Sequence, residues 1–418
     1  MEKLFITNLT IEKVRHLKDL SIPLSEKEIT HLILTGKNGS GKTSVLEALA
    51  GYLNNEFTDR QTEINKRLVN ISKSLRDRAI YNGEEESEIT KWDSNVYENE
   101  KELKKDRNGL DIQFSIKADS TIALMEKYHY ILAYYSADRV FRAELPKHVE
   151  KVQLKDSYKL TEFPRNVFVK YLLDLKMTEA LARSNNKPEK ADEIHAWFVQ
   201  LERLLKQIFD DKTVKLEFDE ETYEFHILQQ GKEPFDFNTL SSGYQAVLDI
   251  VVDIMMRMQH QTKRSFDFNL PGIVLIDDIE THLHLELQKN ILPFLTQFFP
   301  NIQFVVTTHS PFILSSISNA VIYDLENQTL VEHGLGNVPY EGVVEGYFNV
   351  DKLSQVLREK FDRYKELVSK ENLSDDEIGE IAELELYLDE VPDYLAIGIT
   401  TEYQKMKLEF MNREDIDG

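Results

Sequence analysis

Apolar residues recur along this chain with two different periods, and each period predicts a kind of element. Short runs that alternate or are rich in β-formers predict strands at residues 4–6, 20–24, 32–34, 110–116 and 130–135. Two more, at 214–218 and 223–228, are separated by a short acidic turn and predict a hairpin. Residues 273–276 and 304–306 are apolar without interruption, as a strand buried on both faces of a parallel sheet requires. Helical spacing marks 44–49, about 55–80 (Ile64, Leu68, Ile71, Leu75), 166–181, 191–209 and 246–256. In the fourth of these, Ile194, Trp197, Phe198, Leu201, Leu204, Leu205 and Ile208 share a face suited to a core or a helix-pair seam. Ser374-Asp375-Asp376-Glu377 fits a capping box ahead of Ile378, Ile381, Leu384 and Leu388. Residues 82–108 are polar with little apolar content and are expected to form a mobile loop or exposed arm.

The expected class is therefore α/β, a mixed sheet flanked by helices. Residues 1–54 and 236–335 carry the patterned halves of one head. Residues 55–235 are too many for a simple connection, so they read as an insert of helical and arm segments plus strands returning to the head. Residues 336–418 form an acidic helical tail suited to partner contacts.

Composition narrows the picture. The 418 residues contain no cysteine, which excludes disulfides, thiolate metal sites and cysteine nucleophiles and is compatible with a reducing compartment. The N-terminus lacks a signal-peptide stretch and no apolar run is long enough to span a bilayer, so a soluble cytoplasmic protein without membrane contact is expected. A formal net charge of −23 disfavours a surface coated in phosphate contacts, so any nucleic-acid contact would need a local basic face. Lys101, Lys104, Lys105 and Arg107 could supply one, although a solvated charge run explains them as well.

Chemistry concentrates in four motifs. Gly36-Lys37-Asn38-Gly39-Ser40-Gly41-Lys42-Thr43 fits the phosphate loop G-x-x-x-x-G-K-[ST], between an apolar strand and a helix opening at Ser44. Its glycines let backbone N–H groups and a helix N-terminus converge on a dense anion such as ATP. Lys42 would address the β- and γ-phosphates, and the Thr43 hydroxyl would ligate Mg²⁺. Leu240-Ser241-Ser242-Gly243-Tyr244-Gln245 is a second anion-binding turn at a helix start, although an ordinary N-cap serine explains it equally well. The run at 273–276 ends in Asp277 and Asp278. Asp277 would hold Mg²⁺ and Asp278 would orient or deprotonate the attacking water. Residues 304–308 end in His309, placed to hydrogen-bond a γ-phosphate. His282 and His284, two apart, cannot share a helix face and are read as a loop lying against a partner's nucleotide. Arg15, near the loop in sequence, suits a nucleotide contact or simple solvation equally.

In this order, GKNGSGKT, LSSGYQ, IVLIDD-IETHLH and VVTTHS resemble the P-loop ABC-ATPase heads of the RecF, SMC and OLD-like group. The resemblance implies two heads sandwiching ATP with Mg²⁺, Ser241 and Gly243 of one chain meeting the γ-phosphate held by the other, hence a homodimer or higher homo-oligomer. Relatives carry glutamate where this chain has Asp278, which is one methylene shorter and implies slower hydrolysis. No glutamine stands after 134–139, where such heads place one. In kind the chain is most similar to the Septu antiphage ATPases of the PtuA type, implying a separate HNH-type nuclease, PtuB-like, as partner. A RecF-like DNA-repair ATPase and an OLD-like nuclease-associated ATPase are the alternatives. The tail is short for a nuclease domain, and Asp415 and Asp417 fall on a terminus expected to fray.

Overall fold

A computed structural model describes residues 3–58, 60–83, 85–116, 130–336, 355–370, 373–389 and 397–411; Asp415 and Asp417 lie outside them. Residues 1–337 and 338–418 form two units.

The first unit is organised by a six-stranded sheet. Its strands are β3 (His31–Thr35), β5 (Ile131–Tyr135), β8 (Gly272–Ile276), β9 (Ile302–Thr307), β10 (Ala320–Asp324) and β11 (Thr329–Val331), in the order β11-β10-β3-β9-β8-β5. All pairings are parallel except the β10–β11 hairpin at the edge. The two uninterrupted apolar runs become β8 and β9, adjacent central strands with every residue buried. Leu32, Leu34, Ile273, Leu275 and Val305 share one core cluster; by the two-residue period the intervening side chains face the other side.

A second sheet, β2-β1-β4, is antiparallel: β1 (Ile6–Val14), β2 (Leu17–Pro23) and β4 (Leu110–Phe114). Helix α1 (Lys42–Thr58) links the two sheets, since Val45, Leu46, Leu49 and Leu53 lie in the cluster that also holds Leu9 and Ile11 of β1. The expected hairpin forms as β6 (Lys215–Phe218) and β7 (Phe225–Leu228).

Helix α2 (Arg60–Asn82) forms where helical spacing was expected over about 55–80, whereas α3 (Glu86–Asp106) corrects the loop expected over 82–108. Helix α3 has no buried residue, so an apolar stripe could not have announced it. Polar contacts hold it instead: Asn99 Nδ2 donates to Ser72 Oγ at 3.1 Å, Lys73 pairs with Glu100 at 2.6 Å, and Arg76 pairs with Asp93. The basic residues near its end are paired locally, Lys105 with Glu102 and Arg107 with Asp111.

A 3₁₀ turn (Pro164–Val167) leads into α4 (Phe168–Ser184) and α5 (Pro188–Ile208). Helix α6 (Ser242–Met258) is buried through nearly its whole length, α7 (Leu285–Phe298) follows β8, and the single turn α8 (Pro311–Leu314) follows β9. In the second unit, α9 (Gln355–Val368), α10 (Asp375–Asp389) and α11 (Ile397–Met411) enclose Phe361, Tyr364, Leu367, Ile381, Leu384, Leu388 and Tyr403. The capping box is present: Ser374 N donates to Glu377 Oε2 at 2.9 Å and Glu377 N to Ser374 Oγ at 3.3 Å. Among the described residues no helix is long and apolar enough to cross a membrane.

Candidate active site

The carboxyl ends of β3, β9 and β8 lie side by side, and three of the four motifs leave the sheet there. Ligands bind outside the carboxyl ends of parallel strands because the connections there present free backbone and helix N-termini. The loop after β3 turns through Gly36, Gly39 and Gly41, with φ of 132°, 85° and 101°. Only glycine adopts such angles without strain. A Cβ on Gly41 would also lie 2.9 Å from Leu17 Cδ1 of the β1–β2 hairpin. Helix α1 then starts on Lys42, with Val45 N donating to Gly41 O at 2.9 Å.

Lys42 is buried and its Nζ donates to Gly36 O at 2.9 Å and Lys37 O at 3.3 Å, which folds the ammonium into the cradle of the loop. Burial lowers its pKa, opposed by Asp278, Glu280, Asp277 and Asp324. Lys37, Asn38 and Gly39 are exposed and Ser40 is buried. Lys37 pairs with Glu326 of the β10–β11 turn at 2.9 Å, and its N–H donates to the same carboxylate at 3.3 Å. Ser44, half-buried, continues α1.

Thr43 Oγ1 donates to Asp277 Oδ1 at 3.2 Å, joining the first and third motifs across 234 residues of sequence. Thr307, at the end of β9, fixes both acids at once. Its hydroxyl donates to Asp277 Oδ1 at 2.7 Å and accepts from Asp278 N at 2.7 Å. Asp278 has φ of 40°, a strained angle for a non-glycine residue. Its Oδ1 is buried without a protein partner.

Arg139 holds this segment in place. From the loop after β5 its Nη1 donates to Asp277 O at 2.7 Å, and its Nη2 to Asp278 O at 2.9 Å and Ile279 O at 2.8 Å. Three successive carbonyls around a strained residue are thereby satisfied by one buried guanidinium. Glu280 plays the corresponding part for β9: it accepts from Thr308 Oγ1 at 2.8 Å and from His309 N. His309 is half-buried at the strand end, beside the acids.

The pattern of the sequence did not single out Arg139, Thr307 or Glu280. The available signal was positional, since each stands at the carboxyl end of a strand neighbouring a motif. Arg139 itself stands just before the segment in which related heads place a glutamine.

Ser241 and Gly243 lie elsewhere, at the amino end of α6. Ser241 is exposed and its side chain does not cap its own helix. Among the described residues it shares no hydrogen bond with the phosphate loop. Gly243 is buried against the loop that follows the acids: a Cβ there would lie 2.9 Å from His282 O. His282 and His284 are exposed on that loop. Among the described residues no group of three or more histidines and carboxylates could hold a metal ion by itself. The oxygen donors Thr43 Oγ1 and Asp277 Oδ1, with the unpartnered Asp278 Oδ1 beside them, suit Mg²⁺, which takes few protein oxygens and completes its shell with phosphates and water.

Residues 32–315 match the family described as "AAA domain, putative AbiEii toxin, Type IV TA system". Over 420 aligned residues, covering 96% of this chain, the sequence is 26% identical to "Septu protein PtuA" of Bacillus mycoides (strain KBAB4). The chain spans about half the length of that protein, 52%. It is also 25% identical to "Retron Vc95 probable ATPase" of Vibrio cholerae serotype O1 biovar El Tor, over 77% of this chain and 73% of that one. Among solved structures, an SMC head bound to the C-winged helix domain of ScpA aligns over 77% of this chain and 93% of that one. The identity is 14% and the TM-score 0.35.

Proposed function

Since this chain belongs to the AAA-domain ATPase family matched over residues 32–315, we propose that it is the ATP-hydrolysing subunit of a prokaryotic antiphage defence complex, working in the cytoplasm. The observation that carries the chemistry is the meeting of Thr43, Asp277, Asp278 and Thr307 beside Lys42 at three neighbouring strand ends. The similarity to a Septu protein along nearly the whole chain supports the biological role.

In this reading the loop Gly36–Thr43 wraps the triphosphate of ATP, Lys42 exchanges its carbonyl partners for the β- and γ-phosphates, and Thr43 and Asp277 hold Mg²⁺. The bound Mg²⁺ neutralises phosphate charge. Asp278 accepts the proton of the attacking water, and His309 donates to the γ-phosphate. Ser241 and Gly243 close the pocket of a second copy, so that nucleotide bridges a homodimer and occupancy is linked to assembly. The exposed, uncapped Ser241 hydroxyl supports that role. A separate HNH-type nuclease, PtuB-like, is the controlled partner, and nucleic acid is met through the complex.

The test is mass measurement of the chain with and without ATP and Mg²⁺, together with copurification from its native operon. ATP-dependent dimerisation lost in Ser241→Arg, and recovery of a nuclease with the chain, are expected. A mass indifferent to ATP would sink the sandwich, and recovery without any nuclease would sink the defence assignment.

A further inference from the structure

Helix α5 is flanked by two cavities of about 920 and 500 Å³ whose walls share Gln200 and Phe266. Together they form a groove along the helix, whose 21 residues span about 30 Å. One side is closed by α4 and the turn 262–266, the other by α7.

Charge in this groove runs against the molecule as a whole. In a chain of net charge −23, exposed Lys190, Arg203 and Lys263 line it, and among the described residues none of the three has an acid partner. Lys151 and Arg264 add to the rim, sharing Asp174 at 2.7 Å each. Glu193 is the one acid among the described residues lining either cavity. The turn is held by Arg264, which also donates to Val152 O at 2.8 Å, while Lys263 and Arg264 take φ of 54° and 63°. Left-handed angles at two successive non-glycine residues cost energy, and such strain concentrates at binding sites.

The floor is aromatic. Phe266, Phe294 and Phe298 are half-buried; the last two stack at 5.7 Å with planes 8° apart, and Phe266 meets Phe298 edge-on at 6.2 Å. The exposed amides Gln200, Gln207, Asn290 and Gln297 line the same stretch. Exposed cations and amides over half-buried π-surfaces are the composition that holds a single nucleic-acid strand, phosphates outward and bases inward.

We propose that the groove along α5 binds single-stranded nucleic acid through Lys190, Arg203 and Lys263, with Phe266 and Phe294 as stacking surfaces. The proposal is independent of the nucleotide site and of the antiphage reading. Surrounding negative charge confines attraction to the groove, and three phosphate contacts give a log–log salt slope of about −2.

The experiment is fluorescence anisotropy of the full chain with labelled oligothymidylate, oligouridylate and an abasic oligomer of equal length. Expected are saturable binding of at least one base-bearing oligomer and weaker binding of the abasic one. The variant Lys190→Glu/Arg203→Glu/Lys263→Glu should lose at least about tenfold while melting and ATP hydrolysis stay unchanged. Thymidylate against uridylate separates DNA from RNA, and either answer supports the groove. Phe294→Ala keeps the cations and should weaken base-bearing oligomers only, a second check if the triple variant folds poorly. No binding at low salt, unchanged binding by the triple variant, or equal affinity for the abasic oligomer would overturn the proposal. Lys42→Ala should bind the oligomers like the wild type, which keeps this result separate from that at the ATP site.

Discussion

Lys42 donates to two carbonyls of its own loop, so its ammonium waits where phosphate charge would arrive. Lys42→Ala is expected to weaken ATP binding by at least about a hundredfold, near 3 kcal/mol, measured with a fluorescent analogue. Asp278 invites the opposite change. Its short side chain hangs from a strained backbone and leaves Oδ1 unpartnered, and an error of about 1 Å in placing water slows chemistry roughly a hundredfold. Asp278→Glu should therefore raise kcat about ten- to a hundredfold with KM little changed, whereas Asp278→Asn should bind ATP and not turn over. Steady-state phosphate release distinguishes the two. That the Lys42–Thr43 turn and Asp277 would be drawn together was legible from motif spacing, because phosphate-binding motifs carry fixed residue types at fixed intervals. Thr307 was not, because one threonine in a β-rich run looks like any strand residue until its hydroxyl is seen to bridge two acids.

Among elements, β3, β8 and β9 were the easiest to read, since strands covered on both faces need unbroken apolar runs. Helix α3 could not be read that way: its order comes from ion pairs and an amide bridge to α2, which leave no apolar period behind. The edge hairpin β10–β11 was also missed, although it brings Glu326 to Lys37. Arg139 shows how one residue outside every motif can set an element's end. Replacing it with lysine keeps the charge but cannot reach three carbonyls in a fork. Arg139→Lys should lower kcat more than nucleotide affinity and reduce stability by about 2–4 kcal/mol, read from denaturant melts beside phosphate release. Equal kcat in that variant would reduce Arg139 to a packing role.

For the whole molecule, acid is the informative stress. His31 opens the central strand, with Nδ1 accepting from Phe304 N at 3.1 Å, and burial pushes its pKa down to about 4. Above pH 6.5 the imidazole is neutral whether folded or not, so it adds no pH dependence there. Between pH 6.5 and 4 the unfolded chain takes a proton that the fold refuses, and stability falls by on the order of 3 kcal/mol. Asp249 of α6, beside Arg165, has its pKa raised by burial to about 6 and runs the other way, favouring the fold as pH drops toward 4. His31→Asn, whose amide oxygen can take the Phe304 N–H, should flatten the acid-side loss in urea titrations at pH 4–7. An unchanged slope would assign that loss to other groups. Finally, the bare α-carbon of Gly243 rests against the loop that follows Asp277 and Asp278. Were a second copy to dock on Ser241 as proposed, its push would meet the carbonyl of His282, four residues beyond Asp278, and assembly and hydrolysis would then be coupled through one short loop.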